Sequence, residues 1–185
     1  MAVTGVLMAG FGGQGMLLAG KVLAHTAMEQ GLEVSWLPSY GPEMRGGTAN
    51  VIVSISEQPI GSPLITRRHA LLVMNLPSLE KFAPVVESGG VIVVNRTLVK
   101  KDPERTDCAV VHVDARELAT DAGSARAANF VMLGAYVGAS GVVPPEAVET
   151  AIEAEFVGAK AKFAPANVAA FRAGLAEGRK VEASS

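Results

Sequence analysis

The stretch MAGFGGQGMLLAGK, Met8 to Lys21, sets Gly10, Gly12 and Gly15 at the spacing GxGxxG, with Gly13 and Gln14 between them. Glycines so placed let the backbone turn tightly and approach a ligand closely, and the free N–H groups at the start of the following helix favour an anion. A dinucleotide site also needs an acidic residue at the end of the second strand, about 20 residues on, to hold the ribose hydroxyls. Glu33 follows Gly15 by 18 residues, but it falls at the beginning of that strand. The strand's far end runs into Trp36, Leu37 and Pro38, whose side chains cannot accept from a ribose hydroxyl. Two readings remain open. The loop holds an anionic group, or it is a tight strand-to-helix turn against a neighbouring chain, with Gln14 satisfying its backbone groups.

A second loop, SYGPEMRGGTAN from Ser39 to Asn50, places Tyr40, Glu43 and Arg45 on a backbone that Pro42 stiffens and that Gly46 and Gly47 allow to turn. Arg45 offers a planar fork of donors suited to carboxylate or phosphate. Its structural alternative is a pairing with Glu43 or a main-chain carbonyl, and for Tyr40 it is a packed aromatic. His25 falls in a helix and His112 in a strand, with no carboxylate at productive spacing, so both read as packed or surface histidines. Cys108 has no neighbouring base in sequence and reads as inert. One cysteine and three scattered histidines make neither a disulfide nor a metal cluster.

The elements that position these loops follow from hydrophobic periodicity. Val3 to Ala9 is an apolar strand, and Met16 to Glu29 a helix ended by Gly31. Glu33 to Leu37 is a second strand stopped by Pro38, and Asn50 to Ser56 alternates with period two before the turn EQPIGSP, so its neighbour can be antiparallel. Ala70 to Met74 and Gly90 to Asn95 read as central parallel strands around a helix from Pro77 to Glu87, and Ala109 to Asp114 repeats the strand pattern. Helices are predicted near Arg116 to Ala122, Asn129 to Ser140, Pro145 to Ala154 and Asn167 to Glu177, with Val181 to Ser185 frayed. Arg96 to Asp107 is a charged excursion that reads as a solvated loop. Strands alternating with helices give an α/β fold: a three-layer α/β/α sandwich, Rossmann-like, with a mostly parallel sheet that admits an antiparallel strand. It forms one domain over residues 1–180, with its binding loops at the carboxyl ends of the strands.

Composition narrows the function. A net charge of −2 with dispersed Lys and Arg gathers neither nucleic acid nor acidic lipid. The apolar start lacks a basic leader and is broken by five glycines from Gly5 to Gly15, and no apolar run reaches the roughly 18–20 residues that span a bilayer. A cytoplasmic protein is expected. The chain is 49% hydrophobic and only 18% charged, whereas about 25% charged is ordinary. A deep α/β core accounts for part of that excess and an apolar surface buried against another chain for the rest.

GFGGQG, then WLPSYGPEMRGGTANVIVSIS and PIGSP, then NFVMLGAYVG at Asn129 to Gly138 and the Lys162, Asn167, Phe171, Gly174 pattern, together resemble the gamma subunit of the 2-oxoacid:ferredoxin oxidoreductases. The SYGPEMRGG form is most similar to the 2-oxoglutarate and branched-chain 2-oxoacid types. The resemblance implies a complex that oxidatively decarboxylates a 2-oxoacid with coenzyme A to acyl-CoA and carbon dioxide, passing electrons to ferredoxin. It also implies thiamine diphosphate, magnesium and iron–sulfur clusters on alpha, beta and ferredoxin-like delta subunits. This chain carries neither a GDG…N thiamine motif nor cluster cysteines. It is expected to bind no cofactor alone and to contribute no catalytic residue. Its two loops, Gly10, Gly12, Gly13, Gln14 and Gly15 in one and Tyr40, Glu43, Arg45, Gly46 and Gly47 in the other, are expected to face the large subunits. The alternatives are a stand-alone nucleotide-binding oxidoreductase and a ligand-sensing module.

Overall fold

The computed structural model describes residues 3–40, 48–62 and 68–182, apart from the side chains of Tyr40 and Glu182. Strand β1 (Thr4–Phe11) is buried from Gly5 through Gly10, as a strand covered on both faces must be. Helix α1 (Met16–Glu29) follows the glycine loop, and β2 (Glu33–Tyr40) and β3 (Thr48–Ser56) come next. Then come β4 (Arg68–Val73), α2 (Leu76–Phe82), β5 (Val86–Asn95), β6 (Ala109–Val113) and α3 (Ala115–Asp121). Helices α4 (Ala128–Ser140), α5 (Pro145–Glu155) and α6 (Ala164–Glu182) complete the order.

The six strands lie in the order β2-β3-β1-β4-β5-β6. The pairings β1 with β4, β4 with β5 and β5 with β6 are parallel, whereas β3 runs antiparallel to both β1 and β2. The three layers are unequal. Val6, Met8, Val51, Val53, Leu72 and Val93 face a thick layer of α1, α3, α4, α5 and α6. On the opposite face, among the described residues, Leu7, Leu71, Val73, Ile92 and Val94 meet Leu79 of α2, Ala83, Val99 and their neighbours.

Several sequence-based boundaries shift. Pro38 does not stop β2, which runs on to Tyr40, because β2 is the outer strand and an edge tolerates a residue without an N–H. The helix expected to reach Glu87 ends at Phe82. Pro84, which cannot continue an α-helix, lies in a 3-10 turn over Ala83–Val85, and β5 starts at Val86. The final helix extends to Glu182, with Val181 packed on the core, so the tail expected to fray from Val181 is helical for its first two residues. The excursion from Arg96 to Asp107 is not simply solvated. Val99 is buried within it, Arg96 meets Asp102 at 2.6 Å, and Arg105 reaches the Ala83 carbonyl at 2.7 Å.

Helix α4 is buried at every residue from Ala128 to Gly138. It lies against α6 along reciprocal glycines: a Cβ at Gly134 would fall onto the Phe171 carbonyl, and one at Gly138 onto that of Leu175. From the other side, a Cβ at Gly174 would fall onto the Val131 carbonyl and one at Gly178 onto that of Ala135. The two backbones meet with no room for a side chain between them, which fixes α4 as a rigid element behind the sheet.

Candidate functional site

The carboxyl end of β1 carries the glycine loop singled out by sequence. The turn after β1 is closed by Gln14, whose backbone N–H donates to the Phe11 carbonyl at 3.2 Å and whose Oε1 accepts the Phe11 N–H at 2.6 Å. Gly10 makes that closure fit, because a Cβ there would lie 2.6 Å from Gln14 Oε1 and 3.0 Å from Met74 Cβ. Gly13 and Gly15 have φ of 92° and 78°, which a side chain disfavours, whereas Gly12 does not have a positive φ. Gly15 is the N-cap of α1, and no side chain caps that helix. The Gly15 carbonyl accepts both the Ala19 N–H and Asn129 Nδ2, each at 3.0 Å.

The second loop springs from the same edge. Phe11 is paired with Thr48 and Tyr40 with Ala49, so Thr48 stands beside the end of β1 and Tyr40 one strand further out at the same edge. Glu43, Arg45, Gly46 and Gly47, with the Tyr40 side chain, lie outside the described residues. The topology thus brings the two loops' ends to one edge.

At this edge β1 and β4 are neighbours whose following helices cover opposite faces, α1 on the thick side and α2 on the thin side. Such a switch point opens a crevice beyond the strand ends. Buried asparagines that sequence reading did not single out cluster around it. Asn75 caps α2 by accepting the Ser78 N–H at 2.8 Å, while its own Nδ2 and the Ser78 Oγ are buried without a partner. Asn95 accepts the Thr97 N–H at 3.1 Å and donates to the Met74 sulfur at 3.4 Å. A signal for these two existed: the apolar runs LLVMN and VIVVN each end on the asparagine. Apolar side chains stand exposed just beyond three of these strand ends, Phe11 (38%), Leu76 (38%) and Leu98 (50%).

A dinucleotide does not fit this edge in the usual way. Between β1 and β2 lies the antiparallel β3, so the end of β2 is two strand spacings, roughly 9–10 Å, from the glycine loop. Glu33 sits at the far end of β2, paired with Ser56.

The histidines need a correction, because each has a carboxylate close by. His25 lies 3.6 Å from Glu29, His69 3.1 Å from Glu87 and His112 2.8 Å from Asp102. Glu29 is one helical turn from His25, and Asp102 arrives on the anchored 96–107 loop, a placement no sequence spacing reveals. All three are substantially exposed pairs of the kind worth little. Burial pushes the Cys108 thiol up, which keeps it protonated at neutral pH. No group of three His, Cys, Asp or Glu among the described residues could hold a metal. No described helix is long and apolar enough to cross a membrane.

Comparison with known proteins agrees with this architecture. The family model for pyruvate ferredoxin/flavodoxin oxidoreductase matches residues 5–177. The ketoisovalerate oxidoreductase subunit VorA of Methanothermobacter thermautotrophicus is 40% identical over 91% of this chain, which spans only 35% of that relative. The 2-oxoglutarate synthase subunit KorC of Methanothermobacter marburgensis is 34% identical, over 95% of this chain and 98% of its own. Among solved structures, the keto/oxoacid ferredoxin oxidoreductase gamma subunit of Geobacter sulfurreducens superposes with a TM-score of 0.86 at 32% identity, covering 98% of this chain and 99% of that one. The chain therefore spans about a third of the VorA-type relatives it matches, and nearly all of the separate KorC and gamma subunits.

Proposed function

The chain belongs to the pyruvate ferredoxin/flavodoxin oxidoreductase family, and we propose that it is the gamma subunit of a 2-oxoacid:ferredoxin oxidoreductase acting on 2-oxoglutarate. The complex takes the 2-oxoacid and coenzyme A to acyl-CoA and carbon dioxide and passes electrons to ferredoxin. The substrate assignment rests on those relatives of comparable length that are 2-oxoglutarate synthase subunits, set against a pyruvate synthase subunit and a pyruvate/ketoisovalerate common subunit of similar length. The branched-chain 2-oxoacid of the VorA-type relatives is the competitor to measure beside it.

The observation that carries the reading is the carboxyl edge. There the glycine loop and the two ends of the Arg45 loop share one edge at a switch point, with exposed Phe11, Leu76 and Leu98 along the ends of β1, β4 and β5. Exposed apolar groups around convergent polar ones suit a surface that a larger subunit covers. The donor set of this chain does not fit an iron–sulfur cluster, which takes four thiolate ligands or two with two imidazoles, because Cys108 is its single cysteine. Thiamine diphosphate, which supplies the carbanion chemistry, is held with magnesium and the clusters by the alpha, beta and ferredoxin-like delta partners. This chain's part is to orient and shield. The glycine loop and Arg45 together hold an anionic portion of coenzyme A or the oxoacid, and the exposed apolar residues along the edge pack against the covering subunit.

The test is purification of the chain under native conditions, with assay of the single chain and of whatever accompanies it. The expected result is 2-oxoglutarate- and coenzyme A-dependent reduction of ferredoxin by the complex and none by the isolated chain. Turnover by the single chain, or micromolar binding of NAD or NADP to it, would replace this reading with the stand-alone oxidoreductase.

A further inference from the structure

We propose that Asn129 is the positioning residue that sets where the glycine loop stands, a role that deepens the reading above and rests on the use of that loop as a ligand contact. The loop has two ties. The Gln14 closure joins residues 11 and 14 and so ties the loop to the end of β1, where Phe11 pairs with Thr48 in the sheet. The other tie is the bond from Asn129 Nδ2 to the Gly15 carbonyl at 3.0 Å, which spans 114 residues of chain. Asn129 is 3% exposed and sits in the first turn of α4.

The direction of the amide is settled by its partner. A carbonyl can only accept, so the nitrogen of Asn129 must face Gly15. That carbonyl also takes the Ala19 N–H, the first hydrogen bond of α1, so one oxygen couples the start of α1 to α4. Gly15 and Asn129 share their space as well as their bond, for a Cβ at Gly15 would lie 2.7 Å from Asn129 Nδ2 and 2.9 Å from its Cγ. Glycine at position 15 is therefore required twice, by φ and by the asparagine. Helix α4 is locked to α6 through Gly134, Gly138, Gly174 and Gly178 and gives a fixed reference behind the sheet. Asn129 carries that reference to the loop, in the way a supporting hydrogen bond holds a binding group in its productive place.

The test uses Asn129→Asp, which keeps the size but sets an acceptor against the Gly15 carbonyl, and Asn129→Ala, which removes the bond. In the full chain, the backbone amide resonances of Gly12 to Gly15 should shift in both variants, and their hydrogen exchange should quicken about tenfold. Resonances along the α4–α6 seam should stay in place. In the assembled complex, KM for coenzyme A should rise about five- to tenfold with kcat within about twofold, as befits a lost binding geometry. Gly15→Ala should disturb the loop less when made in Asn129→Ala than in the native chain, because the two closest atoms it would meet, Asn129 Nδ2 and Cγ, are gone and only Cβ at 3.2 Å remains. Loop resonances that ignore both substitutions would overturn the proposal, as would a uniform shift across the seam, which would make Asn129 a packing residue. Loop resonances that move while KM for coenzyme A does not would leave the positioning role standing and overturn the ligand role of the loop.

Discussion

The α4–α6 seam and the turn between β1 and α1 both depend on glycine, for different reasons. In the seam, Gly134, Gly138, Gly174 and Gly178 leave room for the carbonyls of the facing helix, and a side chain at any of them would fall onto backbone that cannot yield. In the turn, Gly13 at φ 92° has nothing within 4 Å of where a side chain would start, so conformation alone selects it. Gly15 combines the two demands through its φ of 78° and Asn129. The seam is thus built to be immovable. The turn keeps an open, solvent-facing side, as a surface that must receive something would.

Substitutions in order of expected effect put that contrast at risk. Gly174→Ala should be worst, because the new methyl group forces two helix backbones apart. Overpacking of this kind costs about 3 kcal/mol or more, a fall of roughly 6–12 °C in Tm read by thermal melting. A fall under about 2 °C would mean that the seam is more compliant than its geometry.

Arg45→Ala comes next, and it acts on function. Its loss as a two-pronged donor to a carboxylate or phosphate should lower kcat/KM for coenzyme A or the oxoacid by roughly 10- to 150-fold, with Arg45→Lys recovering only part. Assembly should survive. A complex that instead falls apart on a sizing column would make Arg45 a partner contact.

Gly13→Ala and Gly15→Ala separate conformation from space. Both pay the left-handed backbone, about 1–2 kcal/mol, but only Gly15→Ala also meets Asn129. Gly15→Ala should therefore melt lower than Gly13→Ala, and equal melting would show that Asn129 yields freely.

The smallest effect is a surface one that joins the helices behind the sheet. The Arg172 guanidinium, at 2.6–2.8 Å, holds the Glu149 carboxyl below its ordinary value and ties α5 to α6. A lowered folded-state value means stability that is present above the ordinary carboxylate range and lost as pH falls through the depressed one. Arg172→Met should therefore lower Tm slightly near neutral pH and not at all in acid, because the arginine is largely exposed and solvent screens the pair. A penalty of the same size at both extremes of pH would assign it to packing of the arginine stem.

The sequence displayed the strands and long helices because their apolar runs are nearly continuous, as in Leu71 to Met74 and Val91 to Val94. The glycine turn was legible from its spacing, and the alternation in Asn50 to Ser56 admitted an antiparallel neighbour, where the structure has two. Its insertion between β1 and β2 was not legible, since local pattern says nothing of lateral order. Asn129 opens the run NFVMLGAYVG, yet its bond crosses 114 residues and leaves no local trace. The seam escaped for the same reason: GxxxG in α4 and GxxxG in α6 acquire meaning only when the helices face each other. His112 and Asp102 likewise meet through the fold alone.

The central claim is that the carboxyl edge, and not the helical back, is the surface this chain gives to its complex. Hydrogen exchange by mass spectrometry on the free chain and on the chain within its purified complex tests it most directly. Protection on assembly should concentrate at Phe11 to Met16, at residues 40–48 and around Leu76 and Leu98, with the α4–α6 seam equally slow in both states. Unchanged exchange at those loops, with new protection elsewhere on the chain, would contradict the account.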